Sequence, residues 1–352
     1  MGATIRDVAR AAGVGLGTVS RVLNNSPLVS PATRQRVLEV IAELNYSPSR
    51  IARSFALGKT LTVATIAPFF TRPSVVERLR GIEATLAGRG YNLVVFNVET
   101  AARREACLRD VPRADRCDGL LIISIDPLPE EVAALRATGM PVALVDATAE
   151  GLHGVGIDNV AAGELATRHL IELGHTRIGF IGDSREYTAP FNFTSSWDRH
   201  KGFRRALEAA GLAPRPAYER FGNHGRHEAR LLAREMLELA EPPTAIFAAS
   251  DTQALGVLEA ARDVGVSVPA TLSVMGFDDI DVAEYLGLTT VRQPLYETGA
   301  RATELLFGLI SGHAPPPSAE LLPVELVRRQ TTAPPRQPRR ARRKAPSGSA
   351  TR

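Results

Sequence analysis

The chain has few cysteines and no long apolar run. Cys107 and Cys117 are its only cysteines, and they have neither the spacing of a metal site nor the number of a disulfide framework, so we expect buried thiols. No apolar run is long enough to span a bilayer, and the chain does not open with a basic segment followed by an apolar one. These absences predict a cytoplasmic protein without membrane contact.

Signatures of phosphate binding and of hydrolase chemistry are also missing. The sequence contains no G-x-S-x-G nucleophile elbow and no phosphate-binding loop. A G-x-G-x-G run starts at Gly13, but a nucleotide-binding loop should follow a buried strand. Here the preceding segment is polar and helical, with Thr4 and Asp7 spaced as a capping box. We therefore predict no cofactor, and the glycine run indicates a turn between helices.

The charges are segregated along the chain. The 352 residues are enough for two or three domains and carry a net charge of +4. Residues 1–60 carry +5 and residues 336–352 carry +7, so residues 61–335 carry −8. Basic ends around an acidic body indicate nucleic-acid contact at the ends.

The basic C-terminal tail is built from Pro, Arg, Ser and Gly with almost nothing apolar. Such a segment cannot bury enough surface to fold, so we expect disorder. Two roles stay open for it, namely non-specific attraction to DNA phosphates or a solvated tail without consequence.

Two short predicted helices near the N-terminus form a helix-turn-helix pattern. The first covers Ile5–Ala12 and the second Thr18–Asn25, with a Gly-containing turn through Gly17 between them. Val19, with Val22 or Leu23, supplies the buried side of the second helix. The opposite side carries small polar groups and one arginine, which suits a helix that enters the major groove.

A third helix and a short hinge helix follow. Ser30 and Pro31 have the character of an N-cap and a first helical residue, and this helix closes a three-helix headpiece. Residues 49–57 predict a helix of about two turns, which is marginal in water because nucleation is costly. Arg50 makes DNA the obvious stabilising surface, and Phe55 is suited to act as an apolar wedge between base steps in the minor groove. A plain linker helix is the alternative.

From residue 61 onward, strands alternate with helices. The predicted strands are Leu61–Ala67, Tyr91–Val98, Gly119–Ile125, Val142–Asp146, Arg177–Gly182, Ala245–Ala249 and Ser273–Phe277. The predicted helices are Val75–Ala87, Glu130–Ala137, Ala161–Leu173, His200–Ala210, Arg226–Leu239 and Thr252–Val264. This alternation predicts two doubly wound α/β lobes with parallel sheets. Ligands of such sheets bind beyond the carboxyl ends of the strands, so we expect one shared cleft.

Several strings of residues carry a resemblance to a known family. In the headpiece they are Thr4–Ala9, Gly13-Val14, Thr18–Asn24, Ser30, Thr33-Arg34 and Leu44–Pro48, followed by the hinge ending in Gly58. In the core they are Arg80–Glu83, Asp118–Leu121, Leu173–His175, Ile178–Gly182, Ser250-Asp251, Gly276–Asp279 and Thr289–Val291. Except for the basic tail, the chain resembles the lactose/galactose repressor (LacI/GalR) family.

The resemblance implies an N-terminal all-α helix-turn-helix headpiece and a two-lobed, periplasmic-binding-protein-like α/β core. We accordingly divide the chain into a headpiece (1–47), a hinge helix and linker (48–60), an effector-binding and dimerisation core (61–333) and a basic tail (334–352). It also implies a homodimer on a pseudo-palindromic operator in double-stranded DNA. A small effector, usually a sugar, closes the cleft and changes how the two hinge helices meet. The C-terminus lacks apolar heptads, so a tetramer is not expected.

The resemblance assigns DNA contacts by position. Base edges would be faced by Leu16, Gly17 and Arg21; phosphates by Thr18, Ser20, Asn24, Ser30 and Thr33; and the hinge would add Arg50 and Phe55. Phe55 stands where the family usually has a leucine, and Gly15 where it usually has a serine cap. Because Gly17 has no side chain, direct readout rests on Arg21, bidentate to guanine, and on Leu16 near a thymine methyl.

The resemblance also assigns an effector site. Arg199 and Asp278 match family positions that hold ligand hydroxyls or a carboxylate, and a donor fork opposite an acceptor suits vicinal hydroxyls. The alternative is an interlobe salt bridge or a helix-end charge. The residues expected at strand ends or early loops of the same cleft are Phe69, Asp126, Asp146, Trp197 and Ser250. Trp197 could stack on a sugar or pack in its loop.

We predict a repressor of carbohydrate uptake or catabolism genes. A solute-binding protein of a transport system shares the two-lobed core, but the headpiece and the missing leader argue against it. An enzyme is the other alternative, since His224, His227 and Glu228 could suggest a metal site. They lie at a polar helix start without further ligand spacing, so we expect neither a metal nor catalysis.

Overall fold

The computed structural model describes residues 3–23, 26–46, 58–313 and 316–336, and the chain divides into two compact units, residues 1–61 and 62–352. Several predictions fall outside the described residues: Asn24, the hinge helix with Arg50 and Phe55, and the basic tail from residue 337 onward.

The first unit contains three helices, α1 (Ile5–Ala12), α2 (Leu16–Leu23) and α3 (Pro31–Glu43). The predicted capping box at the start of α1 is confirmed, because the Asp7 amide donates to Thr4 Oγ1 at 3.4 Å and the Thr4 amide donates to the Asp7 carboxylate at 2.9 Å. α1 ends at Gly13, whose φ of 64° is the left-handed conformation that glycine adopts without strain.

The recognition helix α2 begins two residues earlier than predicted. The Gly15 carbonyl accepts from the amides of Thr18 and Val19 at 2.9 and 3.2 Å, so the turn covers only residues 13–15. Assigning Leu16 and Gly17 to the turn was therefore wrong, and both lie in the first turn of α2. Val19 and Val22 are buried, as the periodicity predicts.

The third headpiece helix starts as predicted. Ser30 is its N-cap, accepting from the Thr33 amide at 3.3 Å, and Pro31 is its first residue. Val37 and Val40 of α3 pack against Val19 in the headpiece core.

The second unit contains twelve strands among its described residues. They are β1 (Thr62–Pro68), β2 (Asn92–Val98), β3 (Gly119–Ile123), β4 (Val142–Val145), β5 (His153–Gly156), β6 (Ile178–Asp183), β7 (Glu219–Gly222), β8 (Ala245–Ala248), β9 (Ser273–Met275), β10 (Thr290–Arg292), β11 (Ala319–Leu321) and β12 (Glu325–Val327). Its helices are α4 (Pro73–Ala87), α5 (Ala101–Asp110), α6 (Pro129–Ala137), α7 (Asn159–Glu172), α8 (Arg185–Thr188), α9 (Ser195–Ala209), α10 (Arg226–Leu237), α11 (Asp251–Asp263), α12 (Asp281–Tyr285) and α13 (Leu295–Ile310).

The strands form two parallel sheets, one in each lobe, as predicted. The first has the order β11-β5-β4-β3-β1-β2 and the second β7-β6-β8-β9, while β10 and β12 form a small antiparallel pair. The order β2-β1-β3-β4 is thus repeated as β7-β6-β8-β9. Every strand and helix predicted within residues 61–333 overlaps an observed one, but the short β5, β7 and β10–β12 and the helices α5, α8, α12 and α13 were not predicted.

The chain crosses between the lobes more than once. After β5 of the first sheet it enters α7, which packs on α9 of the second lobe. After β10 it returns to the first lobe as α13, which packs on α4. Both cysteines are buried in the first lobe as free thiols, as predicted, and burial raises the pKa of each. Within the described ranges, no helix combines the length and apolar content needed to cross a bilayer.

Candidate functional site

A cavity lies between the lobes at the carboxyl ends of their strands, where doubly wound sheets bind ligands. The space that it outlines, about 610 Å³, includes open solvent. Its polar lining consists of Arg72, Ser74, Arg78, Ser124 and Asp146 from the first lobe, Asp183, Ser195, Ser196, Arg199, His224, Ser250, Gln253 and Asp278 from the second, and Gln293 from the crossover before α13.

The first lobe contributes a buried ion pair. Arg78 Nη2 lies 2.8 Å from Asp146 Oδ2, and the two side chains are 3% and 6% exposed. The same nitrogen donates to Gln293 Oε1 at 3.1 Å, and Ser124 Oγ donates to Asp146 at 2.9 Å. Arg78 Nε is buried without a protein partner, so this guanidinium retains a donor.

The second lobe contributes a corresponding arginine. Arg199 Nε donates to Asn159 Oδ1 at 2.9 Å, and its Nη1 donates to the Ala249 carbonyl at 2.7 Å. Nη1 also lies 3.8 Å from Asp278 Oδ1, and the guanidinium covers the Phe277 ring at 3.7 Å. Arg199 and Asp278 belong to the same lobe, so their ion pair does not cross the cleft.

Gln293 connects the two arginine sites. Its amide nitrogen donates to Asp278 Oδ1 at 2.5 Å, while its amide oxygen accepts from Arg78. A chain of alternating donors and acceptors therefore runs from Asp146 through Arg78 and Gln293 to Asp278 and Arg199. Such a network holds polar atoms ready for a ligand without leaving unpaired charge between the lobes.

The backbone at the strand ends is in an unusual conformation. Ser124 and Asp146 have φ values of 53° and 55°, and Asp278 and Asp279 have values of 119° and 60°. Residues other than glycine adopt positive φ only when their surroundings compensate the strain, and they concentrate at functional sites. In each lobe, therefore, a residue with positive φ carries a carboxylate that lines the cavity.

Asp251 is a buried acidic residue next to the cavity residue Asp278. It is fully buried, accepts from Thr290 Oγ1 at 2.6 Å and accepts from the Ile280 amide at 3.0 Å. Burial, reinforced by the neighbouring Asp278 carboxylate, raises the pKa of Asp251 to about 8. Burial also raises the pKa of Asp278. At neutral pH Asp251 is mostly protonated, which lowers repulsion against Asp278.

His224 lines the cavity, although its sequence context indicated only a candidate metal ligand. Its Nδ1 lies 3.1 Å from Asp183 Oδ1, and Gln253 Nε2 donates to the same oxygen at 3.0 Å. The Asp183 amide donates to Ser196 Oγ at 2.9 Å. Asp183 is the last residue of β6, so its position beyond a predicted strand could have identified it.

Four of the seven predicted cleft residues line this cavity: Asp146, Arg199, Ser250 and Asp278. The Ser250 hydroxyl also caps α11, since it accepts from the Gln253 amide at 3.2 Å. Asp126 lines an adjoining pocket instead, where it accepts from the Thr148 amide at 2.7 Å and from Thr194 Oγ1 at 2.8 Å.

Phe69 and Trp197 lie beside the cavity. Phe69 packs on Phe191 and beneath the Arg72 guanidinium, which lies 4.1 Å from its ring centre. Placing Trp197 in a loop was wrong, because α9 begins at Ser195. The Trp197 ring points into a separate pocket and stacks on Phe221 at 4.8 Å.

A second candidate surface lies on the headpiece. Leu16 (47% exposed), Gly17 and Arg21 are exposed on α2, and Thr18 and Ser20 are half-buried. A Cβ built on Gly17 would meet no atom within 4 Å. On α3, Ser30 Oγ donates to Thr33 Oγ1 at 2.9 Å. The structure thus brings the three predicted base-facing residues to the solvent.

Two family models match the chain. One describes bacterial regulatory proteins of the lacI family and covers residues 4–49; the other describes a periplasmic binding protein-like domain and covers residues 167–332. Catabolite control protein A of Priestia megaterium is 35% identical over 337 residues, which are 94% of this chain and 100% of that protein. The ribose operon repressor of Escherichia coli (strain K12) is 35% identical over 314 residues, which are 88% and 93% of the two chains.

Solved structures agree with these relatives. The lac repressor dimer bound to operator and the anti-inducer ONPF has a TM-score of 0.83 at 28% identity, covering 95% of this chain and 100% of that one. The complex of the transcriptional regulator CelR with cellobiose has a TM-score of 0.69 at 32% identity, covering 94% and 99%.

Proposed function

Because this chain belongs to the lacI family of bacterial regulatory proteins, we propose that it represses carbohydrate uptake or catabolism genes under the control of a sugar-like effector. The observation that carries this proposal is the presence, in one chain, of an exposed recognition helix and a polar cavity between two lobes. A solute-binding protein would use the cavity but gives no role to the headpiece.

For DNA recognition, we propose that α2 enters the major groove with its N-terminal turn toward the bases. Arg21 would contact guanine through two hydrogen bonds and Leu16 a thymine methyl group. Gly17 contributes no side-chain contact, so the base pair opposite it would be read weakly. Ser30 and Thr33, at the start of α3, would contact phosphates and set the register.

For the effector, we propose a compact polyhydroxylated molecule. The carboxylates of Asp146, Asp183 and Asp278 accept hydrogen bonds, whereas the guanidinium groups of Arg78 and Arg199 donate them, so hydroxyls that do both would be satisfied from both lobes. The ribose operon repressor among the relatives and the complex of CelR with cellobiose support a sugar of this kind.

We also propose that the chain acts as a cytoplasmic homodimer on a two-fold operator. The lac repressor was solved as a dimer on its operator.

DNA recognition is tested by selecting binding sites from random-sequence DNA with the purified protein. We expect a motif of two half-sites related by two-fold symmetry, in which Arg21→Ala relaxes one base of each half-site. Arg36→Ala, an exposed arginine on α3, serves as the control and should leave the base preferences unchanged. An unaltered motif with Arg21→Ala would show that this residue does not read a base.

The effector is tested by measuring the thermal unfolding midpoint with a panel of sugars that includes D-ribose and cellobiose. A sugar that binds the cavity should raise the midpoint of the wild-type protein but not of Asp278→Asn. Asp110→Asn, on the exposed end of α5, is the control and should respond like the wild type. Equal shifts in all three proteins would place the sugar outside the cavity.

A further inference from the structure

The two cavity arginines lie in the same local sequence. Arg78 precedes Gly81 on α4 by three residues, and Arg199 precedes Gly202 on α9 by three residues. The helices packed on them also repeat, since residues 163–167 on α7 and 299–303 on α13 both read G-x-x-A-T. In each copy the threonine hydroxyl donates to the carbonyl of the glycine at 2.8 Å.

At the repeated glycines, the backbones of the two packed helices approach so closely that no side chain would fit between them. A Cβ on Gly299 would lie 2.1 Å from the Arg78 carbonyl oxygen, and one on Gly163 would lie 2.3 Å from the Arg199 carbonyl oxygen. The reciprocal contacts are equally close, because a Cβ on Gly81 or Gly202 would lie 2.0 or 2.1 Å from a carbonyl of the partner helix. The backbone of each arginine is thus itself the surface that the partner helix touches.

The same partner helix also holds the guanidinium group. Asn159, the first residue of α7, accepts from Arg199 Nε at 2.9 Å. Gln293, two residues before α13, accepts from Arg78 Nη2 at 3.1 Å. The backbone and the guanidinium of each arginine therefore both contact the same neighbouring segment. These two contacts fix how far the side chain extends into the cavity.

We infer that Gly163 and Gly299 are positioning residues, one in each lobe, that set the depth at which Arg199 and Arg78 enter the cavity. A methyl group at Gly299 must move from 2.1 Å to an ordinary contact distance of at least 3.4 Å, so α13 and α4 must separate by more than 1 Å. Gln293 moves with α13 and loses its bond to Arg78. Binding sites tolerate displacements of only about 0.5 Å, so the arginine no longer meets a ligand correctly.

The inference concerns the cavity that the proposed function assigns to the effector, but its test needs no effector. The first measurement is a crystal structure of Gly299→Ala and of Gly163→Ala. We expect the Arg78 guanidinium to shift by about 1 Å or more in the first variant and the Arg199 guanidinium in the second. A guanidinium that stays within about 0.3 Å of its position would overturn the inference.

The second measurement is a double-mutant cycle on the thermal midpoint. If Gly299 acts through Arg78, then Arg78→Met should lower the midpoint by less in the Gly299→Ala background than in the wild type. The control is Gly119→Ala, whose Cβ would lie 3.1 Å from Leu306 and so loosens the same helix farther along its length. In that background Arg78→Met should have its full effect.

Equal effects of Arg78→Met in all backgrounds would reduce Gly299 to a packing role and overturn the inference. If the glycine-to-alanine variants do not fold, the inference is tested with Gln293→Ala and Asn159→Ala. These substitutions delete the side-chain amide that holds each guanidinium and leave the backbone contact at the glycine intact. Arg78→Met should then have a smaller effect beside Gln293→Ala than in the wild type, and Arg199→Met a smaller effect beside Asn159→Ala. Unchanged effects would again overturn the inference.

Discussion

Removing the buried guanidinium of Arg78 should destabilise the core far more than removing the exposed guanidinium of Arg80 on the same helix. In Arg78→Met, the Asp146 carboxylate loses its 2.8 Å partner and keeps the Ser124 hydroxyl as a donor. Breaking a buried pair in this way costs about 3–5 kcal/mol, because a charge stays buried without compensation. The matched control is Arg80→Met, which removes an equally short pair with Glu77 whose arginine is 64% exposed. That loss should cost about 0–1 kcal/mol.

The assay is urea unfolding followed by circular dichroism. With a slope of about 2–3 kcal/mol per molar urea, Arg78→Met should lower the midpoint by roughly 1–2 M, and Arg80→Met by less than about 0.5 M. Adding Asp146→Asn to Arg78→Met should restore part of the loss, because an amide needs no counter-charge. Equal midpoints for the two arginine variants, or no rescue by Asp146→Asn, would refute the assignment of a buried ion pair.

Three further predictions concern the hinge and two buried titratable groups. Phe55→Ala, at a position outside the described residues, should keep its affinity for a single half-site and lose it for an intact palindrome; gel-shift titrations that show equal loss on both would exclude a central wedge. The pKa of Asp251 is raised to about 8, so the folded chain holds a proton that the unfolded chain releases near pH 4, and stability falls as pH rises between these values. Thermal midpoints of Asp251→Asn should lack most of this fall, and an unchanged pH profile would contradict the raised pKa. Burial lowers the pKa of His175, which contacts the Ala333 carbonyl at 2.9 Å, so stability is lost as pH falls below about 6.5. His175→Gln should show a smaller drop in midpoint between about pH 7.5 and 5.5; an equal drop would assign the acid sensitivity elsewhere.

The long strands and the headpiece could be predicted from sequence because their signals are local. Most of the predicted core strands are buried apolar runs, although β2 leaves Val94 and Val95 exposed. The capping box at Thr4 and the proline at position 31 depend on neighbouring residues. The start of α9 could not be predicted, because Ser195–Asp198 is polar and resembles a loop. That error placed Trp197 in the cavity, although a helix turn directs it away.

The arginine of the first lobe could not be predicted because its burial is not local. Arg78 lies in the middle of an amphipathic helix beside the exposed Arg80, and periodicity alone treats both as surface residues. Only α13, which follows it by more than two hundred residues, covers Arg78 and brings Gln293 to its guanidinium. In contrast, Asp146 and Asp278 follow predicted strands, and the edge of a parallel sheet is where ligand groups are expected.

The coupling between cavity and headpiece is tested most directly by operator affinity. A labelled operator obtained from the DNA selection is titrated with protein, and fluorescence anisotropy is recorded with and without the sugar that stabilises the wild type. We expect the sugar to change the operator Kd of the wild type by at least about fivefold and to leave that of Asp278→Asn unchanged. A sugar that binds the cavity but leaves the wild-type operator Kd unaltered would contradict the proposed coupling.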